Sequence, residues 1–500
     1  MHKMCTIVKV DVIIAVHNAE ATIEETVKSA MHQEILNSDV TFDVAVCCYN
    51  DASTDKSIDI LYALKEEHSK NSPLQNDESK LLMNTTLLIG TAEEGSTSRG
   101  AGYARNQAVK LRDMNENASC TNDNTDDAKC FHFLCVLDSD DIMHPTRIAE
   151  QTSAMMSLGY GEQGKHLSEN ALMGCQFDRI PNDSTWHYAT WANSLSDERI
   201  VLEQFRECTL LQPTWFISKS RFQALGGWLE APISIEELNK LKSTDSSNHY
   251  RLVHSSELSE TSPAAMPRTL RLAEDTRLFY AHLRAGGTLH LHRTPTPLVS
   301  YRHRVGMSQS SGTPRKLLLQ LRAKAWEDIV FFDKNGSDNT TLWSRGFAIW
   351  GCGRDGKDFL KALSPQVASR VVCFVDVDSN KIDKIKVYDN PAIGRKIPIL
   401  HFSLLAKNPN ECNVVFGRVS KEKKVDDDAL HTFGQKGASP KCEEPRRKKR
   451  KTHIDETIDS KVLRDLPVVV CVAMYRTNGA LESNVASIGR IEGKDLWHIS

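Results

Sequence analysis

Several things are scarce in this 500-residue chain, and each absence narrows the reading. No C-x-x-C pair occurs, and the thirteen cysteines are odd in number and scattered through apolar stretches (Cys47, Cys48, Cys135, Cys373, Cys471). That excludes a zinc ribbon or a disulfide framework and reads as reduced core thiols. No apolar run reaches the length needed to span a bilayer. The opening MHKMCTIVKVDVIIAVHNAE is not expected to be a secretory signal, since Lys9 and Asp11 break its apolar run and no small-residue cleavage site follows. The expectation is therefore a cytoplasmic protein. Net charge is also small, −3, so any nucleic-acid contact must come from local patches. What is present is ordinary globular composition, 40% hydrophobic and 25% charged, at a length that suggests two or three domains.

One stretch organises the rest. FHFLCVLDSDD at 131–141 begins as a short apolar run, the signature of a strand buried on both faces. It ends in Asp138, Asp140 and Asp141 around one serine. Such a cluster fits only at the carboxyl end of a strand, where open α/β sheets bind ligands. Carboxylates this close repel one another unless a cation lies between them, and oxygen-only ligands favour Mn²⁺ or Mg²⁺. A solvated acidic turn is the alternative for an isolated D-x-D.

The flanking chain alternates strands and helices. Strands are expected at 8–16, 42–49, 81–89 and 131–137, with helices at 19–32, 56–65, 103–111 and 145–158. This alternation predicts an α/β domain with a parallel, nucleotide-binding sheet. Ser53, Thr54 and Asp55 are placed to cap the second helix. Further on come a strand at 171–177, a strand, helix and double-glycine turn within 210–227, and a helix at 272–283 with Glu274 and Asp275 in its first turn. Proline-punctuated extended chain follows at 289–301, then a helical bridge over 314–333. Polar inserts are expected near 113–130, 232–268 and 419–465.

A second domain opens with a strand at 347–350 running into Gly351-Cys352-Gly353-Arg354-Asp355-Gly356, a G-x-G-x-x-G in strand–turn–helix context, with Asp376 ending the next strand. Taken alone the fingerprint says dinucleotide, with Asp376 on a ribose. This half is shorter than a full dinucleotide domain and supplies no hydride-acceptor site. The favoured reading is a Rossmann-like half that helps hold RNA or nucleotide. The domain layout is thus 1–312 for the first domain, 313–343 for a helical linker, and 344–500 for the second, carrying the basic insert.

With these pieces in place the first half resembles the family-2 inverting glycosyltransferases of GT-A fold. The matching motifs are VDVIIAVHNAEATIEETVKSAMHQ at 10–33, NDASTD at 50–55, GAGYARNQA at 100–108, DSDD at 138–141 and AED at 273–275. Each is weak alone; together they stand in the family's order and spacing. With QPTWF at 212–216, IWGCGRDGKDF at 349–359, FVDVDSNKI at 374–382 and IPILHF at 397–402, the whole chain except its inserts resembles the β-1,3-N-acetylglucosaminyltransferase-like protein 1 family. That resemblance implies a soluble transferase moving galactose from UDP-galactose onto queuosine in tRNA.

The chemistry of sugar transfer fits these residues. The departing diphosphate must be stabilised, and a divalent ion on Asp140, with Asp138 supporting the ion or the ribose, does so as a Lewis acid. Inversion needs one carboxylate near the acceptor oxygen, and Asp275 is the candidate general base, with Glu274 orienting it or the acceptor. A pair of helix-start acids favoured by the macrodipole is the plain alternative. By resemblance, Asp51 and the backbone of Val16, His17 and Asn18 hold the uridine, and Arg99 or Arg105 lies near the base or diphosphate. His303 stands where the wider family often has a histidine serving metal or diphosphate, with a surface histidine as the alternative. Trp215 and Trp228 are read either as stacking surfaces for sugar or base or as core. Asn106 is read as fixing a helix start.

The basic run 446–451 has three readings: a nuclear localisation signal, a phosphate-contacting arm for tRNA, or a solvated loop. Two other functions compete with the leading one. One is a UDP-N-acetylglucosamine or other hexosyl transferase on a glycan. The other is a catalytically silent module binding nucleotide and RNA.

Overall fold

A computed structural model describes residues 6–36, 40–71, 82–118, 130–162, 164–230, 272–303, 313–332, 340–391, 394–407, 459–473 and 479–499. The insert expected at 232–268 and the basic run 446–451 lie outside these residues; of the insert expected at 419–465, residues 459–465 are described, and Ser460–Asp465 is a helix with Leu463 buried rather than part of a polar insert. Of the Asn-rich insert, residues up to Ala118 are helical, because the helix Ala101–Ala118 runs on past the expected end at 111. The chain divides into two units, the first running to Thr340 with small returns, the second covering most of the remainder.

The strands of the first unit are β1 (Thr6–Val16), β2 (Val40–Asn50), β3 (Met83–Thr91), β4 (Cys130–Val136), β5 (Ile142–Met143), β6 (Ala171–Cys175), β7 (Phe177–Ile180), β8 (Phe216–Ser218), β9 (Thr288–His292) and β10 (Val299–Arg302). The main sheet has the order β3-β2-β1-β4-β8-β6-β9. β8 alone runs against its neighbours, pairing antiparallel with both β4 and β6. This is the GT-A arrangement, a Rossmann-like parallel half continued by a mixed half. β1 pairs with β2 and β4 along its two edges, and successive residues from Val10 to Ile14 are all buried, so both its faces are covered; that is why VKVDVIIAV is nearly all apolar.

Asp11, in the middle of β1, is the exception and is fully buried. Its carboxylate accepts from Arg112, from His132 at 2.8 Å and from Lys219 at 3.4 Å. Burial works to raise this carboxyl, but the His132 hydrogen bond and the charges of His132, Arg112 and Lys219 outweigh it and hold it below its ordinary value. No sequence pattern announces this network, because its members are up to 208 residues apart.

A second, three-stranded sheet has the order β5-β10-β7. The turn after β4 is where the chain leaves the large sheet for the small one. The helix Arg315–Trp326, expected within a linker, belongs to the first unit; its Leu317, Leu319 and Leu321 are buried, and Arg322 bonds Glu207 at 3.0 Å. Cys47, Cys48, Cys135, Cys373 and Cys471 are free, buried thiols, as their apolar settings predict.

In the second unit the strands are β11 (Phe347–Trp350), β12 (Val371–Asp376), β13 (Val387–Asn390), β14 (Arg395–His401), β15 (Val468–Val470) and β16 (Leu496–His498). Their order is β13-β14-β12-β11-β15-β16, and all but the edge strand β13 are parallel. The parallel strands therefore lie in the order third, second, first, fourth, fifth, a Rossmann-like layout. The glycine loop joins β11 to the helix Arg354–Ala362, and a Cβ on Gly356 would lie 1.9 Å from the Gly351 carbonyl. That glycine is needed for close packing of strand and helix, whatever the loop binds.

Candidate active site

The order of the main sheet reverses between β1 and β4, and ligands in open α/β sheets bind outside the carboxyl ends at such a switch point. The acidic turn stands there. Thr22 and Thr26, on the helix that follows β1, both donate their hydroxyls to the Ser139 carbonyl, at 3.0 and 3.1 Å. The Asp141 amide closes the turn onto the Asp138 carbonyl at 3.2 Å. β1 and β4 are thus tied together at the turn.

Asp138, Asp140 and Asp141 bring carboxylate oxygens within 4.8 Å of one another. Asp141 is fully buried; one oxygen accepts the Arg302 amide at 2.8 Å and the other has no partner. Burial first, then the charges of Asp138 and Asp140, push its carboxyl well above the ordinary range. An orphaned buried oxygen beside two further carboxylates fits a hard divalent cation such as Mn²⁺ or Mg²⁺. Asp141 is thus a full member of the group. His303 is not in that group: its amide donates to the Ile180 carbonyl at 2.8 Å, at the end of the small sheet.

Opposite the triad stands the start of the helix Glu274–Arg284. Arg105, 6% exposed, joins the two loci. It donates to Asp138 at 2.7 Å and lies 3.6 Å from Glu274. Arg105 therefore contacts carboxylates directly, rather than standing open for a diphosphate. Asp275 accepts its neighbour's amide, from Thr276, at 2.6 Å. Burial, and then the adjacent Glu274 carboxylate, push the Asp275 carboxyl up to about 6. Ala273 just before the pair holds φ 50°, as do Asn18 after β1 (50°) and Ala52 beside Asp51 (54°). Left-handed non-glycine backbone is costly and gathers at functional sites. Gly102 is required for a different reason, since a Cβ there would meet the Leu229 carbonyl at 2.5 Å.

The residues expected around a uridine occupy one neighbourhood. Asp51 donates its amide to the Val16 carbonyl at 2.8 Å, and His17 Nδ1 lies 2.8 Å from the Asp51 carbonyl. Asn18 accepts from the Thr54 amide at 2.8 Å. The Asp51 side chain, however, is 1% exposed and turned inward. It accepts from Ser98 Oγ at 2.7 Å and from the amides of Arg99 and Gly100 at 2.9 and 2.8 Å. Three donors fill the carboxylate, so it orders the loop that carries Arg99 instead of facing a base directly. Arg99 stacks 3.8 Å from the Tyr103 ring centre and donates to Glu230 at 3.2 Å.

The structure decides the other residues singled out by the sequence. Trp215 and Trp228 are both 2% exposed, packed near Phe279 and Phe222, so neither offers a stacking face. Asn106 does not fix its helix start; it clamps the chain at Trp228 and Glu230 through bonds of 2.8 to 3.0 Å. Asp55 is a cap, accepting from the Ser57 amide at 3.0 Å. Glu230, Ser98, Thr22 and Thr26 were missed, since no local pattern marks them.

In the second unit Asp376 is occupied. It accepts from the amides of Cys352, Val377 and Asp378 at 2.9, 2.9 and 3.0 Å, and from Lys381 at 2.7 Å. A ribose would have to displace these donors.

Residues 11–81 match the family model Glycosyl transferase family 2. Among solved structures, residues 1–349 of TarS from S. aureus in complex with UDP-GlcNAc are similar at 13% identity over 73% of this chain and 84% of that one, with TM-score 0.37. The mannosyltransferase PcManGT from Pyrobaculum calidifontis, in complex with GDP-Man and Mn²⁺, is similar at 13% identity over 73% of each chain, with TM-score 0.35. At such scores the fold assignment rests on the strand order above and on the family match.

Proposed function

We propose that this protein is a metal-dependent inverting glycosyltransferase that moves a hexose from a UDP-sugar to an acceptor hydroxyl. The observation that carries the reading is the placement of two carboxylate loci, Asp138–Asp140–Asp141 and Glu274–Asp275, on either side of Arg105. Asp138, Asp140 and Asp141 would hold Mn²⁺ or Mg²⁺, which when bound supplies Lewis-acid stabilisation to a departing diphosphate. Asp275 takes the proton from the acceptor hydroxyl. A carboxyl near 6 is ionised at neutral pH yet more basic than an ordinary aspartate, which suits a general base. Glu274 keeps it there by charge, and Arg105 holds Glu274 and Asp138 in fixed relation. The backbone of Val16, His17 and Asn18 borders the nucleoside position, with Asp51 acting through the 98–100 loop.

The finer reading is galactose from UDP-galactose, queuosine in tRNA as acceptor, and reaction in the cytoplasm. Its support is the sequence resemblance over 212–216, 349–359, 374–382 and 397–402. The test is incubation with labelled UDP-galactose, queuosine-containing tRNA and Mn²⁺, comparing wild type with Asp140→Ala and Asp275→Asn, followed by mass analysis of the digested tRNA. Label only with wild type is expected. Equal labelling by all three overturns the site; label from UDP-N-acetylglucosamine instead moves the donor assignment.

A further inference from the structure

Four arginines are at least nine-tenths buried among the described residues: Arg105, Arg112, Arg147 and Arg179. Three have acceptors. Arg105 and Arg112 meet carboxylates, and Arg147 bonds Gln151 at 2.9 Å and the Val136 carbonyl at 3.0 Å. Arg179 is different. It is 7% exposed, makes no side-chain hydrogen bond or ion pair with any described residue, and its Nε is sealed without a partner. A buried cation with no counter-charge is costly, so its retention calls for a reason.

What surrounds it is aromatic. The guanidinium carbon lies 4.3 Å from the Tyr301 ring centre, 5.4 Å from Phe177 and 5.7 Å from Tyr188. Arg179 on β7 is in register with Tyr301 on β10, and Phe177 is the next buried residue along the same strand. Three rings surround the guanidinium and give its N–H groups no conventional acceptor.

The cage is linked to each carboxylate locus through a short series of neighbours. On one side, Tyr301 precedes Arg302, whose amide binds Asp141. On the other side the Tyr188 hydroxyl donates to the Cys208 carbonyl at 3.4 Å, and Cys208 Sγ lies 3.7 Å from the hydroxyl of Thr276, next to Asp275.

We propose that Arg179 is an oxyanion-recognising residue of this site, its free guanidinium edge taking a phosphate of the bound substrates. The proposal rests on the glycosyltransferase reading. The phosphate has two sources, the diphosphate of the nucleotide sugar or a phosphodiester flanking the acceptor nucleoside in RNA. Either suits a fork-shaped donor in a water-poor setting.

The full chain with Mn²⁺ is titrated with UDP, with uridine and with unmodified tRNA, as wild type, Arg179→Met and Arg179→Lys. Arg179→Met is expected to weaken one phosphate probe by about 10- to 100-fold, as loss of a buried charged hydrogen bond does, with Arg179→Lys in between. Loss for UDP but not uridine assigns the donor diphosphate. Loss for tRNA, with the salt slope reduced by about one, assigns an acceptor phosphate. The Tm of Arg179→Met should equal or exceed that of wild type, since an unpaired cation leaves an apolar cage. Binding of both probes within about twofold of wild type in both variants overturns the proposal and leaves a cation–π core. If wild type binds neither UDP nor tRNA, the transferase reading itself falls, and this proposal with it.

Discussion

Two strand ends in this molecule look alike in sequence and differ in structure. β4 of the first unit runs into a turn with Asp138, Asp140 and Asp141; β12 of the second ends in Asp376. Both follow a run of apolar residues, and both stand at the carboxyl edge of a parallel sheet beside a loop after the first strand. At β12 three backbone amides and Lys381 converge on one carboxylate. At β4 three carboxylates crowd together, and one buried oxygen of Asp141 is left without a donor. The arrangement at β12 satisfies itself, and the one at β4 leaves acceptors that fit a cation. An acid at a strand end is therefore a ligand site only when the fold withholds its donors.

This contrast can be broken by substitution. Asp140→Ala should cut kcat by about 10³-fold, the scale of removing a main electrostatic contact to a leaving group, with initial rates no longer responding to Mn²⁺. Asp376→Asn in the same assay should leave kcat unchanged; a comparable loss would mean the second strand end is also a reaction site. Asp275→Asn should cost about 10²- to 10⁴-fold, the range for general-base loss. Wild-type kcat/KM should rise with pH to a plateau through about 6, where Asp275 gives up its proton, and the variant should be flat.

Smaller effects fall on stability. Asp376→Asn should lower the unfolding free energy by about 1–3 kcal/mol, since buried amides lose a charged acceptor, measured by urea denaturation. Asp275→Asn should do the opposite. The native state keeps this proton to about pH 6, whereas an ordinary aspartate releases it near 3.8. The folded protein then binds more protons in that window, and stability falls as pH rises through it. The variant should melt above wild type at pH 7.5 by roughly 1–3 °C, with the gap closing by pH 4. The least effect is expected for Lys381→Met, below about 1 kcal/mol, because its ammonium is partly exposed and screened.

Much of this was legible in the chain. The strands and helices of both parallel halves follow from apolar runs, caps and glycines, because a strand covered on both faces must be apolar along its length. The acids of the site were legible too, since three aspartates within four residues and an adjacent Glu–Asp pair are local patterns. Helix ends were less so: the helix after the 98–100 loop passes through Asn115 and Asn117, poor helix formers that its continuation overrides.

The sequence by itself determined which residues carry ionisable chemistry and the order of the elements that present them. Tertiary structure alone decided which of those groups are spent and which remain open. Asp51 is filled by a hydroxyl and two amides 47 to 49 residues later, and Asp376 by the Cys352 amide 24 residues earlier together with donors just after it. Arg105 finds Asp138 and Glu274 across the fold, while Arg179 finds only rings. Hydrogen-bond satisfaction depends on angles and distances between segments remote along the chain, and those are set only when the sheets have packed.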